Sequence, residues 1–578
     1  MRTLWRRAVQ SVYIPLFDTA EDTLRTFSAS GRVLFLFFSS LLIASAAGLL
    51  FILNSQFLIA TPAHGGSLSE GIIGTPRFIN PLLAISDADR DVSTLVYSGL
   101  LRATTDGQYI PDLAESYTIS PDGKTYVFVL KAGAVFHDGT AVSADDVVFT
   151  INKAQDAALK SPLRANWDGV GVQKIDDRTV QFVLQAPYAP FIENATLGIL
   201  PKHLWQNVRD DEMPFSELNI SPIGSGPYKI GTIGRTASGV PTSYTLDAFS
   251  AYALGRPYLN SISMHFYQNE EDVVGALKRG DIDTASGVSP AALSELKGFN
   301  VVRSPLNRVF AVFFNQNQSV VLRDIAVRKA LNDAIDKDAL VTQVLGGYGS
   351  PLDGPLPPNT SIVDSTHTAT STDAIEQAKS ELTKAGWTIG ASGIFEKSIG
   401  GSTTQLAFTL TTGNIPELRA AAEYLRAQWK KAGVSVTVQI YDQGDLSQNV
   451  IRPRKYDALL FGEVIGRELD LFAFWDSSQR IDPGLNVALY ANSTADHALE
   501  QLRQVSDPAQ RQELYQQFLN ELHKDAPAVF LYAPDFVYIV PKDVAGLNLG
   551  FIETPSDRFL SVATWHRETE YVWPLFVR

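Results

Sequence analysis

Cysteine is absent from the 578-residue chain, and that absence excludes several classes of chemistry. Without thiols the chain has no disulfides, thiolate metal sites, iron–sulfur clusters or lipid-modified cysteine anchor. Histidine is scarce as well: the eight residues lie far apart, and none has the HxH or HxxxH spacing of a local zinc site. The sequence therefore predicts no metal and no other cofactor.

Positive charge is sparse beyond the N-terminus. The formal net charge is −14, and residues 1–32 contribute +2 because five Arg outweigh three acidic residues. Residues 33–60 carry no charge, so residues 61–578 carry −16 once that +2 is subtracted from the total. An acidic surface without a basic run repels nucleic acid, so no nucleic-acid partner is predicted.

One apolar run is long enough to cross a membrane. Residues 33–53, VLFLFFSSLLIASAAGLLFIL, are uncharged and span about 31 Å as a helix, against a hydrocarbon core of ~30 Å. Five Arg precede the run, and no Lys or Arg follows it until Arg77, which places residues 1–32 in the cytoplasm and the remainder outside. The alternative is a signal peptide cleaved at Ala44-Ser45-Ala46. The long leading segment favours an uncleaved single-pass anchor that contacts lipid through residues 33–53.

Beyond the anchor, strand and helix patterns alternate. Residues 405–411 and 434–441 alternate apolar and polar side chains as strands do, and a helical stripe from Leu418 to Trp429 lies between them. A β–α–β order predicts a parallel, helix-covered sheet and an α/β fold. Residues 350–372, rich in Pro, Ser and Thr, predict a long surface loop.

The stretch VLKAGAVFHDGTAVSADDVVFTINKA, residues 129–154, raises the question of catalysis. His137-Asp138-Gly139 fits a tight turn, and Ser143 followed by Asp145 and Asp146 fits the capped start of a helix. Each polar residue therefore has a structural role, and no partnered nucleophile and base are present. The sequence predicts a protein that is not an enzyme.

The same stretch resembles a known family. Residues 112–151 resemble the signature of the extracellular solute-binding proteins of family 5, which serve oligopeptide, dipeptide and nickel ABC importers. Further matches follow in the family's order over roughly residues 67–578: INPLLAISDADRDVSTLVYSGLL (79–101), GSGPYKI (224–230), ALGRPYLNSI (253–262), LKRGDIDTA (277–285), FFNQN (313–317), LRDIAVRKALNDAID (322–336), AKSELTKAGW (378–387), LRAQWKKAGVSVTV (425–438), YDALLFGE (456–463) and DAPAVFLY (525–532).

The resemblance implies a two-lobed clamshell like the periplasmic binding proteins of class II, with an extra subdomain in lobe I, preceded by one transmembrane helix. The implied segments are a cytoplasmic N-terminus (1–32), the anchor (33–57), a linker (58–66), lobe I (67–313, with a subdomain at about 111–219), lobe II (314–526) and a return to lobe I (527–578). The implied ligand is a peptide held between the lobes by a monomer, and the implied partner is an ABC permease in the membrane.

The resemblance also implies where ligand binds. Peptide binders of the family place an Asp four residues after the Gly of a Gly-Trp step, where it pairs with the peptide's α-amino group. In FGEVIGRELD, residues 461–470, the Trp position is Glu463 and the Asp position is Gly466. Glu463, Glu468 or Asp470 would supply a replacement anion, and Arg467 would bind a carboxylate. The predicted ligand-binding residues are Ile85, Ser86, Asp87, Phe461, Gly462, Glu463, Gly466, Arg467 and Asp470; the alternative is that both stretches are ordinary surface loops.

Three alternative functions can be considered from the sequence. The first is a membrane-anchored, extracytoplasmic solute-binding component of an ABC importer that delivers peptides to a permease. The second is an anchored chaperone-like or protein-interaction module with the same clamshell, or a binder of a non-peptide solute. The third, a hydrolase, lacks the residues that it would need.

Overall fold

The computed structural model describes residues 26–296, 298–358, 360 and 373–576. The described residues form two compact units, one of residues 26–63 with 568–576 and one within residues 64–567. Most of the predicted loop 350–372 lies outside the described residues. The mixed α/β fold predicted from the alternation of helices and strands is confirmed.

The smaller unit is built on one long apolar helix, Ala29–Phe57, which we call the anchor helix. Ser28 caps its first turn by accepting a hydrogen bond from the Gly31 amide at 3.3 Å. Within it, residues 29–54 have a mean hydropathy of 2.4, none of it buried, so length and composition suit a membrane span. The strand Ile59–Ala63 follows at once and pairs antiparallel with Glu568–Val572. The segment predicted as a linker, residues 58–66, thus contains the strand Ile59–Ala63, which pairs with a strand near the C-terminus.

A single twelve-stranded sheet runs through the larger unit. Asn300–Pro305 and Gly349–Pro351 pair with the long strand Ala528–Val540 beside the main order. The main spatial order is Ser435–Tyr441, Ala407–Gly413, Ala458–Val464, Arg308–Phe314, Ala528–Val540, Thr284–Ser286, Ser67–Ile73, Ser261–Tyr267, Pro241–Ala248 and Tyr228–Arg235.

The thirteen-residue strand Ala528–Val540 joins the two halves of this sheet. Its first residues pair with Arg308–Phe314, and its last residues pair with Asn300–Pro305. We call lobe I the half of the sheet that runs in space from Thr284–Ser286 to Tyr228–Arg235, together with Asn300–Pro305 and the elements packed on these strands. The other half of the sheet, with the elements packed on it, is lobe II. One large core fills most of lobe I, and separate cores cover the two faces of the lobe II sheet. The two lobes are thus linked through continuous strands.

The helices cover this sheet, and their ends follow the expected capping chemistry. Asp507 caps Pro508–Asp525 by accepting from the Gln510 amide at 2.9 Å, with Pro at the first helical position. Among the described residues, the α-helices of eight or more residues are Asp87–Val96, Ala144–Gln155 and Glu270–Arg279 in lobe I, and Ile325–Asp333, Lys337–Leu345, Ala374–Lys384, Pro416–Lys431, Ser493–Leu502 and Pro508–Asp525 in lobe II.

Small sheets complete the fold. The largest has four strands and carries the stretch at 129–154. Its spatial order is Ala114–Ile119, Thr125–Leu130, Thr179–Val183 and Gly171–Lys174. The others are Leu101–Ala103 with Tyr109–Pro111, and Thr388–Ile389 with Phe395–Ile399 and Ser402–Gln405.

The stretch at 129–154 has the structural role that its sequence indicates. Gly139 has φ +88°, a left-handed conformation that suits glycine, and the Thr140 amide donates to Asp138 Oδ1 at 2.9 Å. Ser143 and Asp146 form a capping box on Ala144–Gln155. His137 is fixed by the Gly224 amide, which donates to Nδ1 at 3.3 Å, and by the Gly226 carbonyl 3.1 Å from Nε2. Burial lowers the pKa of His137 to about 4, so the ring stays neutral at neutral pH.

Candidate functional site

A cavity of about 360 Å³ lies where the lobes meet. Most of its wall belongs to lobe I: the helix Asp87–Val96, the segment 97–103 that follows it, and the 3₁₀ helix Pro555–Thr564. Arg467 reaches the cavity from lobe II. The volume falls within the ~300–1,000 Å³ of typical small-ligand pockets.

Arg467 fastens lobe II to the cavity rim of lobe I. Its side chain is only 5% exposed, pairs with the carboxylate of Asp557, and lies 3.7 Å from Glu553 Oε2. The guanidinium also stacks over the Phe551 ring at 5.1 Å. Asp557 is itself fixed as the capping residue of Pro555–Thr564, where it accepts from the amides of Glu553 and Thr554 at 2.8 and 3.1 Å. Its contacts with Arg467 are therefore held by a rigid helix start.

Glu193 of lobe I lies beside Gly466 of lobe II. A Cβ atom added to Gly466 would lie 3.4 Å from Glu193 Oε2 and 3.6 Å from Oε1. The carboxyl group of Glu193 thus fills the space next to the position where the family's peptide binders carry an Asp side chain. Burial raises the pKa of Glu193, and Arg467 opposes that rise.

Glu553 completes an acidic pair with Glu193. The two carboxyl groups are close enough to share a hydrogen bond. Burial, together with the charges of Glu193 and Asp557, raises the pKa of Glu553 well above its ordinary value. Two carboxyl groups in such contact hold a proton readily and release it when a cation takes its place.

Part of the cavity wall is polar. Asp112 is 1% exposed, and its Oδ2 accepts from the Tyr252 hydroxyl at 3.4 Å. Ser98 lies beside Asp112, yet neither Ser98 Oγ nor Asp112 Oδ1 makes a hydrogen bond of normal geometry, and the Tyr109 hydroxyl has no partner either. Burial raises the pKa of Asp112, opposed by the charge of Arg102. Because buried polar groups are costly when unpaired, these three suit contact with a polar ligand.

A second set of contacts closes the lobes near the cavity. Tyr188 of lobe I donates to Asp470 Oδ2 at 3.1 Å, and Arg503 lies 3.2 Å from the same oxygen. The Arg503 guanidinium lies between the rings of Tyr188 and Phe472, at 4.8 and 4.4 Å. The Ala189 amide donates to the Arg503 carbonyl at 2.8 Å. We call Tyr188, Asp470 and Arg503 the lobe clasp.

The predicted residues of lobe I lie next to the cavity and not on its wall. Ser86 caps the helix Asp87–Val96 through a capping box with Asp89, and Asp87 lies in its first turn, 3.6 Å from Arg90. Ile85 is 63% exposed. Their chain neighbours Ala84 and Arg90 line the cavity. Contact of residues 85–87 with ligand stays a prediction.

The predicted residues of lobe II divide into two groups. Gly466, Arg467 and Asp470 lie at the meeting of the lobes, as described above. Phe461, Gly462 and Glu463 lie in the strand Ala458–Val464. A Cβ atom on Gly462 would come within 2.7 Å of the Phe310 ring, so glycine permits close packing there. Glu463 is enclosed in the core of lobe II at 4% exposure, apart from the residues that line the cavity.

Several cavity residues were not predicted: Glu193, Glu553, Asp557, Asp112, Ser98 and Tyr109. No local motif brings Glu193 and Glu553 together, since they are separated by 360 positions of sequence. The one available signal was Asp557 after Thr554, a capping pattern that marks a helix start without indicating a ligand.

Comparison with known proteins points to one family. The family model described as "Bacterial extracellular solute-binding proteins, family 5 Middle" matches residues 108–478. Oligopeptide-binding protein AppA of Bacillus subtilis is 30% identical over 503 residues, which cover 84% of this chain and 89% of that protein.

Solved structures agree with the sequence relatives. AppA from Bacillus subtilis in complex with a nonapeptide has a TM-score of 0.66 at 28% identity and covers 88% of this chain and 99% of its own. The ABC transporter substrate-binding protein CtaP from Listeria monocytogenes has a TM-score of 0.73 at 28% identity, over 87% and 100%. NikZ from Campylobacter jejuni in complex with Ni(L-His) has a TM-score of 0.67 at 27% identity, over 86% and 99%. The predicted fold like that of the periplasmic binding proteins is confirmed.

Proposed function

The chain belongs to the bacterial extracellular solute-binding proteins of family 5, and we propose that it is the membrane-anchored peptide receptor of an ABC importer. Members of this family bind solutes and are not enzymes. The anchor helix would hold the receptor at the outer face of the cell membrane, close to its permease and at high effective concentration. Oligopeptide binding by AppA, the relative matched over 84% of this chain, supports a peptide as the ligand.

The observation that carries the ligand assignment is the position of Glu193. Its carboxyl group lies within 3.4–3.6 Å of a Cβ atom on Gly466, where other peptide binders of the family have an Asp. A peptide's α-ammonium group placed there would meet Glu193 and Glu553 and replace the proton that the two carboxyl groups share. The anionic partner thus comes from lobe I, opposite to the lobe that carries the family's Asp.

Ligand contact with both lobes explains how binding would be signalled to a permease. A peptide in the cavity touches lobe I over most of its length and Arg467 of lobe II. Such a ligand stabilises the closed arrangement of the lobes by its differential affinity for it. The permease then recognises the closed form and receives the peptide.

The test is a thermal-stability screen of the full chain in detergent, first stripped of bound ligand by unfolding and refolding. Pools of di- to decapeptides are compared with the same pools acetylated at the N-terminus. A peptide at 100 times its Kd is expected to stabilise the protein by about 2.7 kcal/mol. Acetylated peptides are expected to bind about 10- to 100-fold more weakly, because the lost charged hydrogen bond contributes ~1.5–3 kcal/mol.

Two glutamine variants test which carboxyl group is responsible for the preference for a free N-terminus. Glu193→Gln is expected to reduce the preference for free over acetylated peptides, with Glu553 retaining part of it, whereas Glu463→Gln, whose carboxyl group lies in the lobe II core, keeps the full preference. Stabilisation by both pools equally in the unaltered protein would contradict the role of Glu193 but leave peptide binding intact. Stabilisation by neither pool would contradict the peptide receptor and favour a non-peptide solute or a protein-interaction module.

A further inference from the structure

The C-terminal segment of the chain is attached to the anchor helix and its following strand. Glu568–Val572 pairs antiparallel with Ile59–Ala63, from Ile59 opposite Val572 to Ala63 opposite Glu568. The Thr61 hydroxyl adds a hydrogen bond to the Glu570 carbonyl at 3.3 Å. Since Ile59 follows the anchor helix after one residue, this two-stranded ribbon begins at the end of the helix.

Trp573 fixes the segment to the last turns of the anchor helix. Its ring stacks on Phe57, with centroids 5.8 Å apart and planes inclined by 13°. Its indole N–H donates to Asn54 Oδ1 at 2.9 Å. Both partners lie at the C-terminal end of the apolar helix, so Trp573 lies at the level where that helix would leave the hydrocarbon core.

The ribbon is apolar at the helix end and acidic at the other end. The pairs Ile59–Val572 and Ala60–Tyr571 lie next to the anchor helix, and Glu570 and Glu568 follow farther away. The exposed side chains at the helix end are large: Ile59 at 47%, Tyr571 at 68%, Trp573 at 40% and Leu575 at 87%. This gradient matches the transition from acyl chains through headgroups to water, where Trp and Tyr concentrate.

We propose that residues 571–576, Ile59 and the end of the anchor helix form a second membrane contact, seated at the headgroup–acyl boundary of a phospholipid bilayer. The proposal rests on the membrane-anchoring part of the proposed function. Continuity with the anchor helix identifies lipid as the occupant, because the exposed apolar side chains begin two residues beyond the end of that helix. The receptor would then be held to the membrane near both its N-terminal helix and its C-terminus.

The absence of cysteine allows a direct test with single-cysteine variants of the full chain. Leu575→Cys and, as the matched control on the same segment, Glu568→Cys are labelled with an environment-sensitive fluorophore. Each is reconstituted into phosphatidylcholine–phosphatidylglycerol vesicles, some of which carry a nitroxide quencher near the headgroup. The Leu575 label is expected to be quenched by the lipid nitroxide, and to be several-fold less accessible to aqueous iodide than the Glu568 label.

Each outcome supports or overturns the proposal. Equal iodide accessibility of the two labels overturns it, and so does a Leu575 label that is shielded from iodide yet untouched by lipid quenchers, which would indicate a protein partner. Flotation of the vesicles distinguishes a failure of the anchor helix from a failure of the second membrane contact. A chain that fails to float lacks the anchor itself, whereas a chain that floats with an exposed Leu575 label has the anchor without the second contact. A peptide-induced thermal shift retained by Leu575→Cys verifies that the variant folds.

Discussion

Glu463 shows how a carboxyl group that was predicted to meet ligand can instead be a source of pH-dependent stability. It shares one face of the strand Ala458–Val464 with Leu459 and Phe461, and that face packs into a core of lobe II. Neither carboxyl oxygen has a hydrogen-bond partner of normal geometry, and the same holds for the nearby Trp475 indole. Burial raises the pKa of Glu463 well above its ordinary value, with Trp475 opposing the rise.

Glu463→Gln is therefore expected to stabilise the protein at alkaline pH. When folding raises the pKa of a carboxyl group, the protein loses stability as pH rises above the pKa of the unfolded chain. The reason is that the group ionises in the unfolded chain but stays protonated in the folded one. Glutamine removes that loss, so the stabilisation relative to the unaltered protein is expected to be larger at pH 8 than at pH 4. Denaturant unfolding at both pH values measures it. Glu513→Gln, at an exposed helix position, is the control, and an identical pH dependence of stability in Glu463→Gln and the unaltered protein would contradict the prediction.

At the scale of secondary-structure elements, the lobe clasp links the subdomain of lobe I to the loop after Gly466. Asp470 is at the centre of the clasp. It accepts a hydrogen bond from Tyr188, pairs with Arg503, and also accepts from the Phe472 amide at 3.1 Å. These groups are one-quarter to one-third exposed, so the pair contributes little to folding but directly opposes opening of the lobes.

Asp470→Asn is expected to speed peptide dissociation. The variant loses the ion pair with Arg503 but keeps an acceptor for Tyr188, so a loss of up to about 1 kcal/mol corresponds to a dissociation rate up to about 5-fold higher. Stopped-flow displacement of a labelled peptide measures the rate. Asp445→Asn, an exposed residue of lobe II that pairs with Asn449, serves as the control. Equal rates in Asp470→Asn and the unaltered protein would contradict a role for the clasp in closure.

Helices and strands were predicted well where neighbouring residues in the sequence determine them, and poorly where contacts between distant positions do. The strand predicted at 434–441 is found as Ser435–Tyr441, and the helical stripe from Leu418 to Trp429 lies within Pro416–Lys431, because apolar spacing along the chain defines both. The ribbon of Ile59–Ala63 and Glu568–Val572 was missed because its partners lie 509 positions apart at Thr61 and Glu570. The meeting of Glu193 with Gly466 was missed for the same reason: it exists only once the lobes have folded and closed.

At the scale of the whole molecule, the continuous sheet makes closure a movement about a few strands. Arg308–Phe314 and Ala528–Val540 pair with each other and carry the chain between the lobes. In the structure Arg467 and its neighbour Glu468 lie against Glu193, Glu553, Asp557 and Tyr109. Opening of the lobes would therefore expose the acidic pair to water.

The ligand-free receptor is accordingly expected to open as pH rises. Burial raises the pKa of Glu193 and Glu553 in the closed form, and opening returns both carboxyl groups toward water. The closed form thus binds more protons, so it is favoured at low pH and loses that advantage as pH increases through the raised pKa values of the closed form. Spin labels at the exposed positions Ala157 of lobe I and Gln504 of lobe II, each replaced by cysteine, report the distance between lobes.

Three results of that distance measurement follow from the acidic pair. The mean distance grows with pH in the ligand-free protein, changes less in Glu193→Gln because one titrating group is gone, and stays short at every pH when peptide saturates the site. Peptide binding at neutral pH also releases protons, since an ammonium group replaces the shared proton. A distance that is independent of pH, or that shortens as pH rises, would show that the acidic pair is not the group that balances the open and closed forms.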